Sequence, residues 1–455
     1  MTKNKLIIAC SWLIATILIL LPFHAVFTTF LASHFHHFDL FRIWKELLIV
    51  PLGLGALIVF SDDQKTKRWL MESGLYILLS FYVGLFAIAG FVAVARHHVN
   101  ANALIYGLMV DLRIPIFFAI CLVISVHSSW LRRHWRRWLL ISASLVIGFG
   151  LLQHFVLPAN ILTHIGYGPS TIPAYQTVDQ KSQYVRVQST LRGPNPLGAY
   201  LVIPITAFVL LVLNDKKRRW LWAGLLLAAV VVLFYSYSRS AWLGTALAVG
   251  LISWWQIKHR MAKRLLLLAA GLILIIGFLA TLSLRHNSQF ENTFFHTDQT
   301  SHSQDSSNQD RASALKHGLS DIIHEPWGSG PGTAGPASTR NNHPPRIAEN
   351  YYLQLGQEVG IVGILLFVAI NILVGVSLWQ LHDELSQILL ASLIGLSLVN
   401  MLSHAWADDT LGLLWWGLAG IALSSVILNK HKPNTNKPLI KQNSSHGKTK
   451  KAATA

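Results

Sequence analysis

Runs of about 20 apolar residues recur along most of this chain, and they restrict its folding choices. In a bilayer only elements that satisfy their own backbone hydrogen bonds can span, and a helix needs about that length to do so. About twelve windows meet this criterion. They lie near 6–27, 44–61, 69–95, 103–126, 137–157, 195–214, 219–237, 240–256, 264–284, 352–379, 386–405 and 410–429. The expected fold is all-α, a polytopic membrane protein. Only 13% of the 455 residues are charged, against about 25% in a soluble protein. The fourth window carries Asp111, Arg113 and Pro115, so it is expected to start late or to be broken. Two residues apart on a helix, Asp111 and Arg113 point to nearly opposite faces and do not pair with each other.

The net charge of +17 follows the positive-inside pattern. With the N-terminus cytoplasmic, one side holds Lys65, Lys67, Arg68, Arg132, Arg133, Arg136, Arg137, Lys216, Lys217, Arg218, Arg219, Lys258, Arg260, Lys263 and Arg264, with the lysines of the tail. The short loops of the opposite side hold Arg42, Lys45, Arg96 and Arg239. Both termini are then cytoplasmic. No basic, aromatic-interleaved soluble segment exists for nucleic acid to bind. Cys10 and Cys121 sit inside apolar runs and read as small core residues. The N-terminal run is too long for a signal peptide's apolar region and reads as an uncleaved helix. The His34/His36/His37 spacing fits no standard metal site.

This pattern divides the chain into helices over 1–284, with a smaller outer loop near 158–194; a large outer loop over 285–348, carrying short helices; helices over 349–429; and a basic, disordered cytoplasmic tail over 430–455 that suits anionic lipid. Three polar elements share the outer side: the two loops and the corner at Arg239.

Four stretches in these elements carry chemistry. Tyr235-Ser-Tyr-Ser-Arg239-Ser-Ala-Trp242-Leu-Gly244 places an arginine in a tight corner, either as a fixed fork for phosphate oxygens or as an interface arginine among aromatic belt residues. Residues 310–332 give an Arg311-led helix followed by a Gly-rich run with Gly330 and Gly332, either an anion-binding backbone or a plain turn. Glu349-Asn350 opens the next helix, where the dipole stabilises a carboxylate that is either a first-turn acid or a general base. Arg186 to Gly198 delivers Arg192 and Asn195 on a rigid turn just before another helix.

In order and spacing, these stretches resemble the O-antigen ligase / O-antigen polymerase superfamily of lipid-linked glycan transferases. The matching pieces are Ser-Arg-Ser-Ala-Trp-Leu-Gly at 238–244, the Arg-led helix with Gly-x-Gly-Pro-Gly at 311–332, and Asn-x-x-Leu-Gln…Glu-x-Gly-x-x-Gly at 350–363. Arg192-Gly-Pro-Asn195-Pro is similar to the family's small loop before its sixth helix. Ligases of that family carry two essential arginines and a histidine on the outer side. The resemblance assigns Arg239 and Arg311 to the arginines and puts Glu349 at the histidine position. His343, close by and off register, is a solvated loop histidine or a substitute base.

The resemblance implies transfer of a glycan from a polyprenyl (undecaprenyl) diphosphate to an acceptor hydroxyl, on the outer face of the bacterial cytoplasmic membrane. Arg239 and Arg311 would hold the diphosphate and Glu349 would deprotonate the acceptor. Arg186, Arg192, Asn195, Gly330, Gly332, His343 and Asn350 would position phosphate or glycan. No cofactor or metal is expected. Partners are a lipid-linked oligosaccharide, a glycan, lipid or protein acceptor, and membrane lipids. A lipid-linked glycan flippase or a non-catalytic envelope scaffold are the alternatives. Apart from Asp111 and Arg113 the helices read as plainly apolar, whereas transporters keep polar groups at mid-membrane.

Overall fold

A computed structural model describes residues 2–178, 181–265 and 307–430, with a few isolated positions between 266 and 283. The ninth apolar window beyond residue 265, the loop segment 285–306 and the tail beyond residue 430 fall outside the described residues.

The fold is all-α. Helix α1 (Lys3–Leu20) continues through a 3₁₀ turn, Leu21–Phe23, into α2 (His24–Phe35), together one apolar span of 33 residues. Next come short α3 (Phe38–Arg42), α4 (Trp44–Ser61), amphipathic α5 (Gln64–Glu72) and α6 (Leu75–Ala95), then the long α7 (Ala101–His127) and α8 (Ser129–Phe155). A small antiparallel hairpin, β1 (Gln176–Val178) and β2 (Lys181–Arg186), pairs Gln176 with Arg186 in the loop that follows. Then come α9 (Pro194–Asn214), α10 (Arg219–Tyr235), α11 (Arg239–Gln256), α12 (Ser307–His324), α13 (Tyr351–Trp379), α14 (Glu384–Met401) and α15 (Asp409–Lys430). Among the described residues nine spans are long and apolar enough to cross a membrane, and α10 is a shorter apolar helix. Helix α11, with arginine and glutamine at its ends, is not among the nine.

The expected late or broken fourth helix is not what forms. Helix α7 starts at its Asn100 cap, whose Oδ1 accepts the Ala103 amide at 2.8 Å, and runs unbroken past Pro115. The Arg113 charge does not expel it, because it meets carboxylates on other helices. Arg113 faces Glu46 and Asp409, and Asp111 faces Glu358. As the spacing predicts, the two do not pair with each other.

Helix α15 packs along α7, and α11 packs along α9 and α14. The α11–α14 crossing is close because it is glycine on glycine: a Cβ on Gly244 would meet the Gly395 carbonyl oxygen at 2.7 Å. Small residues at such crossings let backbones approach, which is the main attraction available between helices in lipid. The glycine of the 238–244 motif therefore has a packing reason. So does Trp242, which stacks on Phe234 with ring centres 5.4 Å apart and donates Nε1–H to the Leu233 carbonyl at 2.9 Å.

The segment after α12 docks on a kink in α13 at Val359–Gly360. Ser329 N–H and Gly330 N–H donate to the carbonyls of Gln357 and Glu358, both at 2.8 Å, and Gly332 N–H donates to the Glu358 carboxylate at 3.0 Å. These amides are thus taken up by α13, that of Gly332 by the Glu358 carboxylate, and are not offered to a ligand anion, contrary to the expectation from the Gly-rich pattern. Gly332 has φ +87°, and a Cβ there would overlap the Ala103 carbonyl oxygen. Gly332→Ala is expected to destabilise the fold by about 2–3 kcal/mol. A thermal-shift measurement on the solubilised protein checks this, and an unchanged melting temperature would show that the run tolerates a side chain.

Candidate functional site

At the end of the bundle where the loops gather, a polar cavity of about 530 Å³ opens between the hairpin loop, α3, the 3₁₀ turn Gly335–Arg340 and the α14–α15 turn. Its wall includes Arg42, Tyr106, Arg192, Asn195, Arg340, Glu349, His404 and Asp408. Each is delivered by a distinct local device.

Arg192 is carried in by a non-helical segment that dives into the bundle. Val187, Gln188, Ser189, Thr190 and Leu191 are all buried. Irregular backbone at such depth needs partners, and it has them. Gln153 Oε1 accepts the Ser189 amide at 2.8 Å, Ser189 Oγ donates to the Val146 carbonyl at 2.6 Å, and Thr190 Oγ1 donates to the Pro22 carbonyl at 2.8 Å. Arg192 Nε then meets Asp408 Oδ2 at 2.7 Å.

Arg186 clamps the same region from outside. Its Nε donates to the Ser236 carbonyl at 2.9 Å and its Nη2 to Asn195 Oδ1 at 2.7 Å, tying the hairpin to the α10–α11 corner and to α9. Arg186 thus acts on the cavity through Asn195.

Arg42 and Arg340 approach the ring of Tyr106, at 4.8 and 4.6 Å from its centre, within cation–π range. Arg42 also bonds the Tyr106 hydroxyl, and Arg340 pairs with Asp39 at 2.6 Å. Burial pulls the Arg42 pKa below its ordinary value; Asp409 opposes this, while Arg192 and Arg340 add to it by repulsion. An arginine remains charged regardless. Three arginines against the carboxylates of Glu349 and Asp408 leave this wall net positive, which favours an anionic ligand.

Glu349 is half-buried and holds φ +47°, a left-handed conformation that non-glycine residues adopt at a cost. The following residue, Asn350, is the N-cap of α13. Its Oδ1 accepts the Leu353 amide at 3.1 Å and its Nδ2 donates to the Met401 carbonyl at 2.8 Å. Asn350 is therefore a buried positioning residue outside the cavity wall.

Of the residues expected from sequence, the cavity unites Arg192, Asn195 and Glu349. Arg239 begins α11, half-buried, and does not line this cavity. The backbone of Arg311 lies in α12, and its side chain is outside the described residues. His343 is exposed, its Nε2 3.4 Å from the His97 carbonyl oxygen. Beside it in the chain, Arg346 bonds Glu325 at 3.0 Å. Burial raises the Glu325 pKa, but bonds from Arg346 and Ser329 outweigh it and hold Glu325 below the ordinary range. Among the described residues no group of three His, Cys, Asp or Glu side chains could hold a metal ion.

Sequence reasoning missed Arg42, Tyr106, Arg340, His404 and Asp408 as wall residues. It also missed a buried charge network beneath the wall: Lys45, expected in a loop, is 1% exposed and meets Asp409 at 2.8 Å and Glu46 at 3.2 Å. The helices are thus less plainly apolar than they read.

The fold and cavity define a polytopic membrane protein with a cation-rich polar site at one end. Residues 224–368 match the family model described as O-antigen ligase. This match supports membership of the O-antigen ligase superfamily, and with it a membrane enzyme of envelope polysaccharide synthesis. The matched stretch contains Arg239, Arg311, Arg340 and Glu349; Arg42, Arg192, His404 and Asp408 lie outside it. No curated protein matches the chain.

Proposed function

We propose that this protein transfers a glycan from a polyprenyl diphosphate carrier to an acceptor hydroxyl at the outer face of the cytoplasmic membrane. The acceptor oxygen attacks the sugar C1, the C1–O bond to the diphosphate breaks, and the acceptor proton passes to a base. The leaving diphosphate gains negative charge, which fixed guanidinium groups in a poorly solvated site stabilise strongly. The observation that carries this reading is the convergence of Arg42, Arg192 and Arg340 with Glu349 on one cavity. In this reading Arg192 and Arg42 hold the diphosphate; the likeness to the family adds Arg239 and Arg311 to that role, of which Arg239 begins α11 outside this cavity's wall. Glu349 is the base, with His404 beside it on the wall. Ligase, polymerase and protein-transfer activities share this chemistry and differ in the acceptor.

The test uses the purified protein in lipid nanodiscs with a polyprenyl-diphosphate-linked oligosaccharide. Release of polyprenyl diphosphate that depends on an added hydroxyl acceptor is the expected result. An intact donor after incubation with envelope glycan, lipid and protein acceptors alike would refute the reading.

A further inference from the structure

Beneath the cavity lies a group of buried charges that the transfer chemistry does not use. Lys45, Glu46, Arg113 and Asp409 come from α4, α7 and the start of α15, and their formal charges cancel. Arg113 pairs with Asp409 and lies 3.3 Å from Glu46. His24 Nε2 is 3.3 Å from Asp409, and Trp44 Nε1–H donates to His24 Nδ1 at 2.9 Å. Buried ion networks are a poor source of stability, since well-packed apolar residues often do as well. Their best-attested use is to fix one geometry among several.

The geometry fixed here is that of one turn. Arg113 Nη2 donates to the Ala407 carbonyl at 2.7 Å, and Asp409 anchors the chain two residues further on. Between those two pins sits Asp408. Its Oδ1 accepts the Thr410 amide at 3.0 Å, and its Oδ2 takes Arg192 Nε at 2.7 Å. The buried network therefore reaches the cavity through Asp408 and, by a second route, through Lys45, whose Nζ donates to the Arg42 carbonyl at 2.8 Å.

We propose that Arg113 and Asp409 are positioning residues for Arg192: they lock the Ala407–Asp409 backbone so that Asp408 presents the Arg192 guanidinium to the ligand. The role rests on the reading of the cavity as a diphosphate site. The guanidinium fork reaches the Ala407 carbonyl through Nη2 while Nη1 faces Asp409 and Glu46, a planar two-nitrogen geometry that a lysine at this position does not reproduce.

A double-mutant cycle tests it on the full chain in nanodiscs, with geranylgeranyl diphosphate as probe and inorganic pyrophosphate as the lipid-free control. Arg113→Lys is expected to weaken probe binding roughly ten-fold, and Arg192→Ala to weaken it more. Arg113→Lys added to Arg192→Ala is expected to weaken it no further, because the two act through one contact. Melting temperatures are followed in parallel, since a general loosening of the bundle would lower affinity in both backgrounds. Equal losses from Arg113→Lys with and without Arg192 would overturn the positioning role and leave the cavity reading standing. Unchanged probe binding in Arg192→Ala would remove the cavity reading and the positioning role with it. If Arg113→Lys fails to fold, Asp409→Asn, which keeps shape and an acceptor oxygen, carries the same cycle with the same two outcomes.

Discussion

Arg192→Ala is expected to slow glycan transfer by about 10²–10³-fold, the usual effect of removing one preorganised group that stabilises developing charge. The residue ends a segment whose burial and hydrogen bonds leave its backbone little freedom, Asp408 holds its Nε, and it lines the cavity. Such a group is already oriented when charge develops on the leaving diphosphate, so little reorganisation is needed at the moment of reaction. Arg192→Lys separates charge from geometry. A lysine keeps the charge but loses the fork that spans Asp408 and a phosphate, so its rate is expected to fall between wild type and alanine. The measurement is single-turnover release of polyprenyl diphosphate, which isolates chemistry from product release. An alanine variant keeping more than a tenth of the wild-type rate would remove Arg192 from the site.

The spans were legible in the sequence because bilayer thickness imposes a length that few other structures share. The motif positions were legible too, but their reasons were not. Gly332 and its neighbours read as an anion cradle because glycine permits both close ligand approach and close backbone packing, and only coordinates tell these apart. Gly244 packs on Gly395 for the second of those reasons. The missed wall residues share another cause. Arg42, Arg340, His404 and Asp408 sit at helix ends and in tight turns far apart in the chain, where a single charged residue reads as a loop charge. Lys45 and Glu46 lie at the very edge of an apolar window, so counting residues could not say on which side of the boundary they fall. The neutralising partner, Asp409, lies more than 300 residues away, beyond reach of any local pattern.

Glu349→Gln is expected to lower the transfer rate by about 10²–10⁴-fold, the range for loss of a positioned general base. The substitution keeps the volume and removes the carboxylate's charge together with its ability to take a proton. The backbone strengthens the assignment. A left-handed φ at a non-glycine residue costs about 1–2 kcal/mol, and Glu349 sits there immediately before a helix cap whose hydrogen bonds need the chain to enter at that angle. Glycine would adopt this conformation without strain; in the proposed reading the carboxylate is what offsets that cost. Glu349→Gly should therefore relieve that backbone strain while abolishing transfer. Glu349→His, which supplies another base at the same point, is expected to retain more activity than Glu349→Gln. If the glutamine variant kept a third of the wild-type rate, the base would lie elsewhere on the wall, and loss of transfer in His404→Gln would identify it.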